Sequence, residues 1–319
     1  MFDILSACFL LVIGLICIII AADIAVKNSA ILASALGVSN LVIGISLVSI
    51  GTDIPEIFNS IIACSLGHGD IDVGDSVGSD LAQLTLVFGL LPIVCGGFKV
   101  GRKEILIIGG CEILSLILIF TVVEKGYFTR FDALFMICSF VVYLMVIYNV
   151  TKSDLLEKVD MMELTTKLRS KKYHLTLAIL GFLGVAICSY IIIQSIITLA
   201  NVLNVHEFII SFFILAIGTS LPELVVDINA LKKKQYDIAI GDVIGSCIVD
   251  STISIAIGQL LFPQEVTPEL AIPTIIYTLC ASIVVFTVVG IRQKVDKKSG
   301  LLFISLYFGS YMLLFTILL

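Results

Sequence analysis

The sequence has very little charge for its length and no tryptophan. Only 14% of its 319 residues are Asp, Glu, Lys or Arg, whereas 59% are hydrophobic. Ordinary soluble domains carry about 25% charged residues, so this composition excludes that class. The mean hydropathy of +1.15 indicates an integral membrane protein, whose solvent is the lipid bilayer. We expect neither a nucleic-acid partner nor an obligatory protein partner.

Histidine is scarce, and the cysteines are not arranged for metal binding. The three histidines fall at predicted loop edges, and the nine cysteines lie inside apolar segments without a CxxC pair. Soft transition metals are bound by His and Cys, and a disulfide framework needs a characteristic cysteine spacing. We therefore expect no thiolate metal site, no disulfide framework and no cofactor.

Long apolar runs are what the sequence has instead. A helix needs about 20 apolar residues to cross a hydrocarbon core of about 30 Å. The first run lacks a basic flank and a cleavage site, so we interpret it as a retained helix. The prediction is an all-α integral membrane protein with ten transmembrane helices, near residues 4–26, 37–66, 71–98, 104–123, 129–149, 174–200, 205–231, 238–262, 269–291 and 299–319.

The basic residues indicate the orientation of these helices. If the N-terminus lies outside, 17 of the 19 basic residues fall in inside loops, leaving Lys125 and Arg130 outside. The positive-inside rule then predicts a multi-pass protein of the cell membrane with both termini outside.

The chain repeats itself at a spacing of 167 residues. Residues 51–85 and 218–252 are identical at 13 of 35 positions, where chance would give about two. Each copy contains five spans, an odd number, so the copies have opposite orientations. We predict a first five-helix repeat over 1–150, a cytoplasmic linker over 151–173 with an interfacial helix, and a second repeat over 174–319.

Both copies interrupt an apolar helix with the pattern Gly-Thr-x-x-Pro-Glu. It reads GTDIPE at 51–56 and GTSLPE at 218–223. Inverted repeats with helices broken at matching positions are typical of secondary transporters, whose ion site lies near the bilayer midplane. Proline can also kink an ordinary transmembrane helix, but a kink needs no carboxylate. We therefore predict that helices 2 and 7 are broken around an ion site.

Four carboxylates, Asp53, Glu56, Glu223 and Asp250, fall inside predicted spans that contain no Lys or Arg at comparable depth. Each charge at the bilayer centre costs roughly 2.5–3.5 kcal/mol, so protons or bound cations must neutralise them. Neighbouring oxygens favour cations, because four pairs spaced i, i+4 share a helix face: Thr52 with Glu56, Thr219 with Glu223, Ser79 with Gln83, and Ser246 with Asp250.

Carbonyl oxygens are further candidates. Pro55 and Pro222 have no N–H to donate, which frees carbonyls near Ser49 and Ala216 to become ligands. A set of hard oxygens suits Ca²⁺, which takes 6–8 of them, and also Na⁺.

Together, GTSLPE with GDVIGSCIVD and GTDIPE with GDSVGSDLAQ resemble the paired alpha-repeats of the cation/Ca²⁺ exchanger superfamily, closest to the short prokaryotic Na⁺/Ca²⁺ exchangers. The resemblance covers essentially the whole chain. It implies an antiporter rather than an enzyme, in which one Ca²⁺ competes with several Na⁺ at one central cluster while helices 1 and 6 slide. By position it implies these ligands: Thr52, Glu56, Ser79, Thr219, Ser220, Glu223, Ser246 and Asp250.

The sequence departs from the family pattern at a few positions. Asp53 stands where the family commonly has Ser, and Gln83 where it has Asn or Asp; the Gln83 amide oxygen is still expected to ligate. Because Asp53 adds negative charge, Ca²⁺/H⁺ exchange is the alternative to Na⁺/Ca²⁺ exchange, followed by K⁺-dependent or Mg²⁺-selective variants. Asp75 and Asp242, which replace a usual Asn, either line the ion path or cap a helix.

Two other functions fit parts of the sequence. A cation channel also needs oxygen-lined polarity, and saturable flux that requires a counter-ion would separate a carrier from it. The stretch GHGD at 67–70 matches a pattern of intramembrane aspartyl proteases. However, Asp70 and Asp237 are equivalent positions of inverted copies, so they should lie at opposite membrane faces and cannot share a proton.

Overall fold

The computed structural model describes residues 2–35, 49–158 and 170–318. The residues near 37–48, in the first half of predicted helix 2, and linker residues 159–169 lie outside this description. Apart from two short strands, the regular structure is helical: α1 (Phe2–Ala35), α2 (Ser49–Thr52), α3 (Ile54–Ser65), α4 (Gly69–Leu81), α5 (Phe88–Val94), α6 (Arg102–Val123), α7 (Arg130–Lys158), α8 (Lys171–Leu203), α9 (Glu207–Ile210), α10 (Ala216–Thr219), α11 (Leu221–Lys232), α12 (Tyr236–Val249), α13 (Ile255–Leu261), α14 (Pro268–Arg292) and α15 (Lys297–Leu318).

The helices have the length and composition of membrane spans. Within the described residues, eight helical stretches are long and apolar enough to cross a bilayer, and α3 is a shorter apolar helix of 12 residues. The all-helical membrane architecture expected from composition is therefore confirmed. Some boundaries differ. The first helix continues to Ala35 instead of 26, and α7 continues to Lys158 instead of 149. The run predicted over 71–98 stops being helical after Val94, where Gly96 adopts a left-handed backbone conformation with φ of 87°.

Wider π-helical turns join some helices end to end. Ala82–Val87 connects α4 to α5, Ser211–Leu215 connects α9 to α10, and Asp250–Ser254 connects α12 to α13. The first and third contain Gln83 and Asp250, which are equivalent positions of the sequence repeat. Such turns are frequent at functional sites because they redirect side chains within a helix.

One end of the molecule is closed by a short strand pair. β1 (Phe98–Lys99) pairs antiparallel with β2 (Lys294–Val295), and the Phe98 ring stacks on Tyr236 with ring centroids 6.0 Å apart. Next to this pair, the Ser299 backbone N–H donates to Asp296 at 3.1 Å. This bond, together with Lys294 and Arg292 nearby, holds the pKa of the Asp296 carboxyl well below its ordinary value. Because β1 belongs to the first sequence repeat and β2 to the second, the strand pair joins loops from the two repeats.

The opposite end is joined by a different set of contacts. Tyr127 forms a backbone bridge with Glu265, and the Phe128 N–H donates to the Gln264 carbonyl at 2.9 Å. His68 Nδ1 lies 2.8 Å from a carboxylate oxygen of Glu207. Loops from both repeats thus meet at this end as well.

Burial divides the helices into a central body and a periphery. The stretches Gly69–Val94 and Ile238–Leu261 have 78% of their most apolar window buried, whereas Arg130–Ile147 has 17%, Ile4–Leu32 has 22% and Lys171–Leu203 has 33%. The helices α1 and α8 pack against each other so closely that a Cβ on Gly181 would lie 2.6 Å from the Ala25 backbone nitrogen. Four candidate ligands lie on the two most buried stretches, namely Ser79, Gln83, Ser246 and Asp250.

Candidate cation site

The site is built around two one-residue interruptions. Asp53 is the single residue between α2 and α3, and Ser220 is the single residue between α10 and α11. A proline is the second residue of each following helix. Because proline has no N–H, its nitrogen donates no backbone hydrogen bond across the interruption. Glu56 and Glu223 then fall in the first turns of α3 and α11, where the helix dipole favours negative charge.

Three carboxylates meet at these interruptions. Oxygens of Asp53, Glu56 and Glu223 all lie within 4.8 Å of one another, and each side chain is at most 2% exposed. None of these oxygens has a hydrogen-bond donor among the described residues, and no Lys or Arg is buried in that part of the chain. Repulsion between carboxylates in a dry interior is severe, so this arrangement requires a cation or protons.

Asp250 extends the acidic cluster from the other side. Its Oδ2 accepts a hydrogen bond from Gln83 Nε2 at 3.2 Å, while its Oδ1 has no donor among the described residues. The carboxylate lies within electrostatic range of Asp53 and Glu56. The Gln83 amide nitrogen thus holds Asp250 in place, while the Gln83 amide oxygen accepts a bond from Cys247 Sγ at 3.5 Å.

Hydroxyl oxygens complete the inner surface of the cluster. Thr219 Oγ1 lies 3.4 Å from Ser79 Oγ and donates toward the Leu215 carbonyl at 3.2 Å. Ser220 Oγ donates to the Ala216 carbonyl at 2.8 Å. Because these hydroxyls donate to backbone oxygens, their lone pairs stay available for a cation. Ser246 is fully buried beside Asp53, and its hydroxyl has no partner in the described chain.

The backbone carbonyls are arranged differently from the expectation. Ala216 O already accepts bonds from the Ser220 N–H at 3.1 Å and from the Ser220 hydroxyl. The carbonyl that loses its donor to Pro222 is that of Gly218, four residues earlier. Ligation through Ala216, and through Ser49 at the start of α2, therefore stays a prediction. Thr52 ends α2 and is half-buried.

Equivalent residues of the two sequence copies contact one another at this centre. Glu56 meets Glu223, Gln83 meets Asp250, and the Cys247 thiol points to the Asp80 carbonyl at 3.8 Å. Contacts between equivalent positions arise where a local twofold axis passes. The acidic cluster therefore draws residues from both copies.

The capping role considered for Asp75 and Asp242 is excluded. Their helices begin at Gly69 and Tyr236, so both residues lie in helix interiors. Asp75 Oδ2 accepts a bond from Asn59 Nδ2 at 3.1 Å, and its Oδ1 lies 3.4 Å from Thr219 Oγ1. Asp75 is thus next to the cluster.

Two further acids are buried near the site. Asp72, which the sequence did not single out, is buried on α4 and accepts hydrogen bonds from Gln259 Nε2 at 2.8 Å and from Cys64 Sγ at 3.3 Å. Glu112 is fully buried and accepts a bond from Ser282 Oγ of the neighbouring helix α14 at 2.8 Å. Only the spacing of Asp72, three residues before Asp75 and seven before Ser79 on one helix face, could have indicated its position.

This fold and site define a polytopic membrane transporter for cations. A family model described as sodium/calcium exchanger protein matches residues 6–149 and 173–316. The chain therefore belongs to the sodium/calcium exchanger family, whose members are membrane antiporters that transport calcium rather than enzymes.

Individual relatives agree with this assignment. The inner membrane protein YrbG of Escherichia coli is 29% identical over 278 residues, which cover 83% of this chain and 82% of the relative. The structure of the sodium-calcium exchanger NCX_Mj superposes with a TM-score of 0.61 at 25% identity, over 96% of this chain and 98% of that one. The H⁺/Ca²⁺ exchanger CAX superposes with a TM-score of 0.74 at 12% identity, over 98% and 84%, which shows a shared fold.

Proposed function

We propose that the protein is a secondary active antiporter that exchanges Na⁺ for Ca²⁺ across the cell membrane by alternating access. The observation that carries this proposal is the meeting of Asp53, Glu56 and Glu223 within 4.8 Å, with no buried Lys or Arg among the described residues. A mobile cation is the partner that can neutralise this charge and also leave.

The ligand set matches the cargo ions. Ca²⁺ takes 6–8 hard oxygens at about 2.3–2.6 Å, and the cluster combines carboxylate, amide, hydroxyl and carbonyl oxygens. We propose as metal ligands Ser49, Thr52, Asp53, Glu56, Ser79, Gln83, Ala216, Thr219, Ser220, Glu223, Ser246 and Asp250. Na⁺ would use the same oxygens, and the neutral hydroxyls would let several monovalent ions replace one Ca²⁺.

We further propose ten transmembrane helices, arranged as two inverted five-helix repeats with broken helices 2 and 7. The repeats occupy 1–150 and 174–319, with a cytoplasmic linker over 151–173 and both termini outside. Contacts between equivalent residues support this arrangement, as do the interruptions at Asp53 and Ser220. The two separate matches to the family model also support it.

Ca²⁺/H⁺ exchange is the second candidate. It is favoured by Asp53, which brings a third carboxylate into contact with Glu56 and Glu223, because neighbouring carboxylates disfavour simultaneous ionisation and can trade protons for Ca²⁺. K⁺-dependent and Mg²⁺-selective variants of the exchange are further forms of this alternative.

Transport by the purified protein distinguishes these functions. Proteoliposomes loaded with Na⁺, with K⁺ or with an acidic interior are diluted into radioactive Ca²⁺, and uptake is followed. We expect Na⁺-driven uptake that Glu56→Gln or Glu223→Gln abolishes, because each variant removes a central charge. Glu124→Gln, at an exposed loop, serves as the matched control and should transport normally.

Equal uptake with no Na⁺ on either side would contradict sodium coupling, and uptake driven by acid loading would establish the proton alternative.

A further inference from the structure

The strand pair of β1 and β2 places two lysines opposite each other. Lys99 pairs with Lys294, and Phe98 pairs with Val295. Phe98 and Val295 are buried, so both lysines lie on the exposed face of the pair. Side chains directly opposite in an antiparallel pair have Cβ atoms about 4.5–5.5 Å apart, and like charges at such positions are destabilising. The pairing that joins the two repeats therefore carries a repulsion on its outer face.

The neighbouring chain adds positive charge to this pair. Because Tyr236 stacks on Phe98 with ring centroids 6.0 Å apart, three segments meet at this end of the molecule: 98–103, 232–236 and 292–298. They contain ten basic residues and one acid, Asp296. Even with the adjacent Glu104 and Asp237 counted, basic residues outnumber acids ten to three.

The single acid inside these segments is already shared. Asp296 lies 2.7 Å from Arg292 Nη2 and 3.3 Å from Lys294 Nζ. The other eight basic side chains form no ion pair with an acid among the described residues. This end of the molecule therefore presents a basic surface that the chain itself does not neutralise.

Four of the basic residues stand where a helix disfavours positive charge. Arg102 and Lys103 are the first two residues of α6, and Lys297 and Lys298 are the first two of α15. The N-terminus of a helix carries a partial positive charge, which favours anions there and not cations. The positive-inside rule accounts for basic residues in these loops, but it does not require them at helix N-termini or opposite each other on paired strands. Their placement indicates a bound anionic group.

Exposed apolar side chains border the basic surface. Ile291, next to Arg292, is 73% exposed, Leu106 in the second turn of α6 is 51% exposed, and Leu301 in the second turn of α15 is 62% exposed. In a membrane-spanning helix such residues contact acyl chains, and Lys or Arg beside them extends toward the headgroups. An anionic phospholipid provides both the negative group and the acyl chains, whereas a soluble anion provides only the first.

We propose that this basic surface binds the phosphate headgroups of anionic phospholipids, with Lys99 and Lys294 as its central contact. A phosphate between the two ammonium groups replaces their repulsion with two charge-assisted contacts. Because β1 and β2 come from different repeats, the bound lipid stabilises the connection between the two halves. The proposal does not depend on which ion the central site transports.

Thermal unfolding of the purified full-length protein in a nonionic detergent, with added lipid, tests this surface. We expect dioleoylphosphatidylglycerol to raise the wild-type midpoint by several degrees more than dioleoylphosphatidylcholine, and high salt to remove most of this difference. Lys99→Gln with Lys294→Gln should reduce the difference by at least half. In phosphatidylcholine the same variant should be at least as stable as the wild type, since it removes a like-charge pair.

Lys171→Gln with Lys172→Gln is the matched control, because it removes two exposed lysines at the start of α8 and should keep the full difference between the lipids. Equal wild-type midpoints in the two lipids would refute the proposal. An equal reduction by both double variants would refute it as well, since it would indicate a diffuse attraction between the charged protein and the lipid. The same rise with inorganic phosphate or polyglutamate would overturn it in favour of a soluble anion.

Discussion

At the scale of single residues, Asp53 has the most unusual position in the site. It fills the gap between α2 and α3, is fully buried, and lies within electrostatic range of Asp242 and next to Ser246. Its repeat equivalent is the neutral Ser220, so the two interruptions differ by one negative charge. An additional carboxylate among Glu56 and Glu223 makes the cluster a site where protons and metal ions compete.

Asp53→Ser and Asp53→Asn test this competition. The apparent Ca²⁺ affinity of the wild type should weaken as the pH falls, by up to about tenfold per pH unit, because protons occupy the oxygens that Ca²⁺ needs. Both variants should retain Na⁺-driven exchange with a flatter pH profile. The measurement is the Ca²⁺ concentration for half-maximal uptake at several pH values. An unchanged profile in both variants would mean that Asp53 does not contact the ions.

Sequence reasoning identified Glu56, Glu223 and Asp250 because each lies in a repeated motif within an apolar run. It did not anticipate Asp72, since this residue has no acidic repeat equivalent, and a lone acid gives no sign of whether it faces solvent or the core. Ligation by the twelve candidate residues is still a prediction.

At the scale of helices, close packing depends on glycine at the crossings. A Cβ on Gly78 of α4 would lie 2.3 Å from the Phe212 carbonyl oxygen, whereas one on Gly110 of α6 would meet nothing within 4 Å among the described residues. The Phe212 carbonyl is backbone and cannot rotate away. The α4 helix is thus held against the segment that joins α9 to α10 by the absence of a side chain.

Gly78→Ala should lower the thermal midpoint of the purified protein by several degrees, because overpacking a fixed contact costs about 1–3 kcal/mol. Gly110→Ala makes the same change in open space. It should leave the midpoint unchanged or raise it slightly, since Ala is favoured over Gly in a helix by about 0.5–1 kcal/mol. Thermal unfolding followed by fluorescence of a thiol-reactive dye would measure both. Equal midpoints for the two variants would show that the α4 crossing can relax.

Helix positions were predicted well and helix interruptions only partly. The apolar runs located the eight long stretches because hydropathy over about 20 residues averages out local detail. Pro55 and Pro222 marked the interruptions through their missing N–H groups. The π-helical turns at Gln83 and Asp250 gave no signal, because inserting one residue into a turn depends on tertiary packing and not on propensity.

At the scale of the whole molecule, the inverted arrangement makes a simple topological prediction. The turn near Leu66 and the turn near Lys233 occupy equivalent places in the two copies, so they should lie on opposite sides of the membrane. Single cysteines introduced at these exposed positions, in a background without the native nine, should react with an impermeant maleimide from outside and from inside, respectively. Labelling of both from one side would refute the inversion.

The connections at the two ends of the body restrict how this molecule can move. β1 with β2 fastens the halves at one end, and the bridge between Tyr127 and Glu265 fastens them at the other. We therefore expect the halves not to swing apart about a hinge at either end. The pair of α1 and α8, by contrast, carries its own bond between Asn28 and His174 at 2.8 Å and meets the body through apolar side chains. Apolar contacts have no preferred direction, so we expect α1 and α8 to slide as one unit along the body.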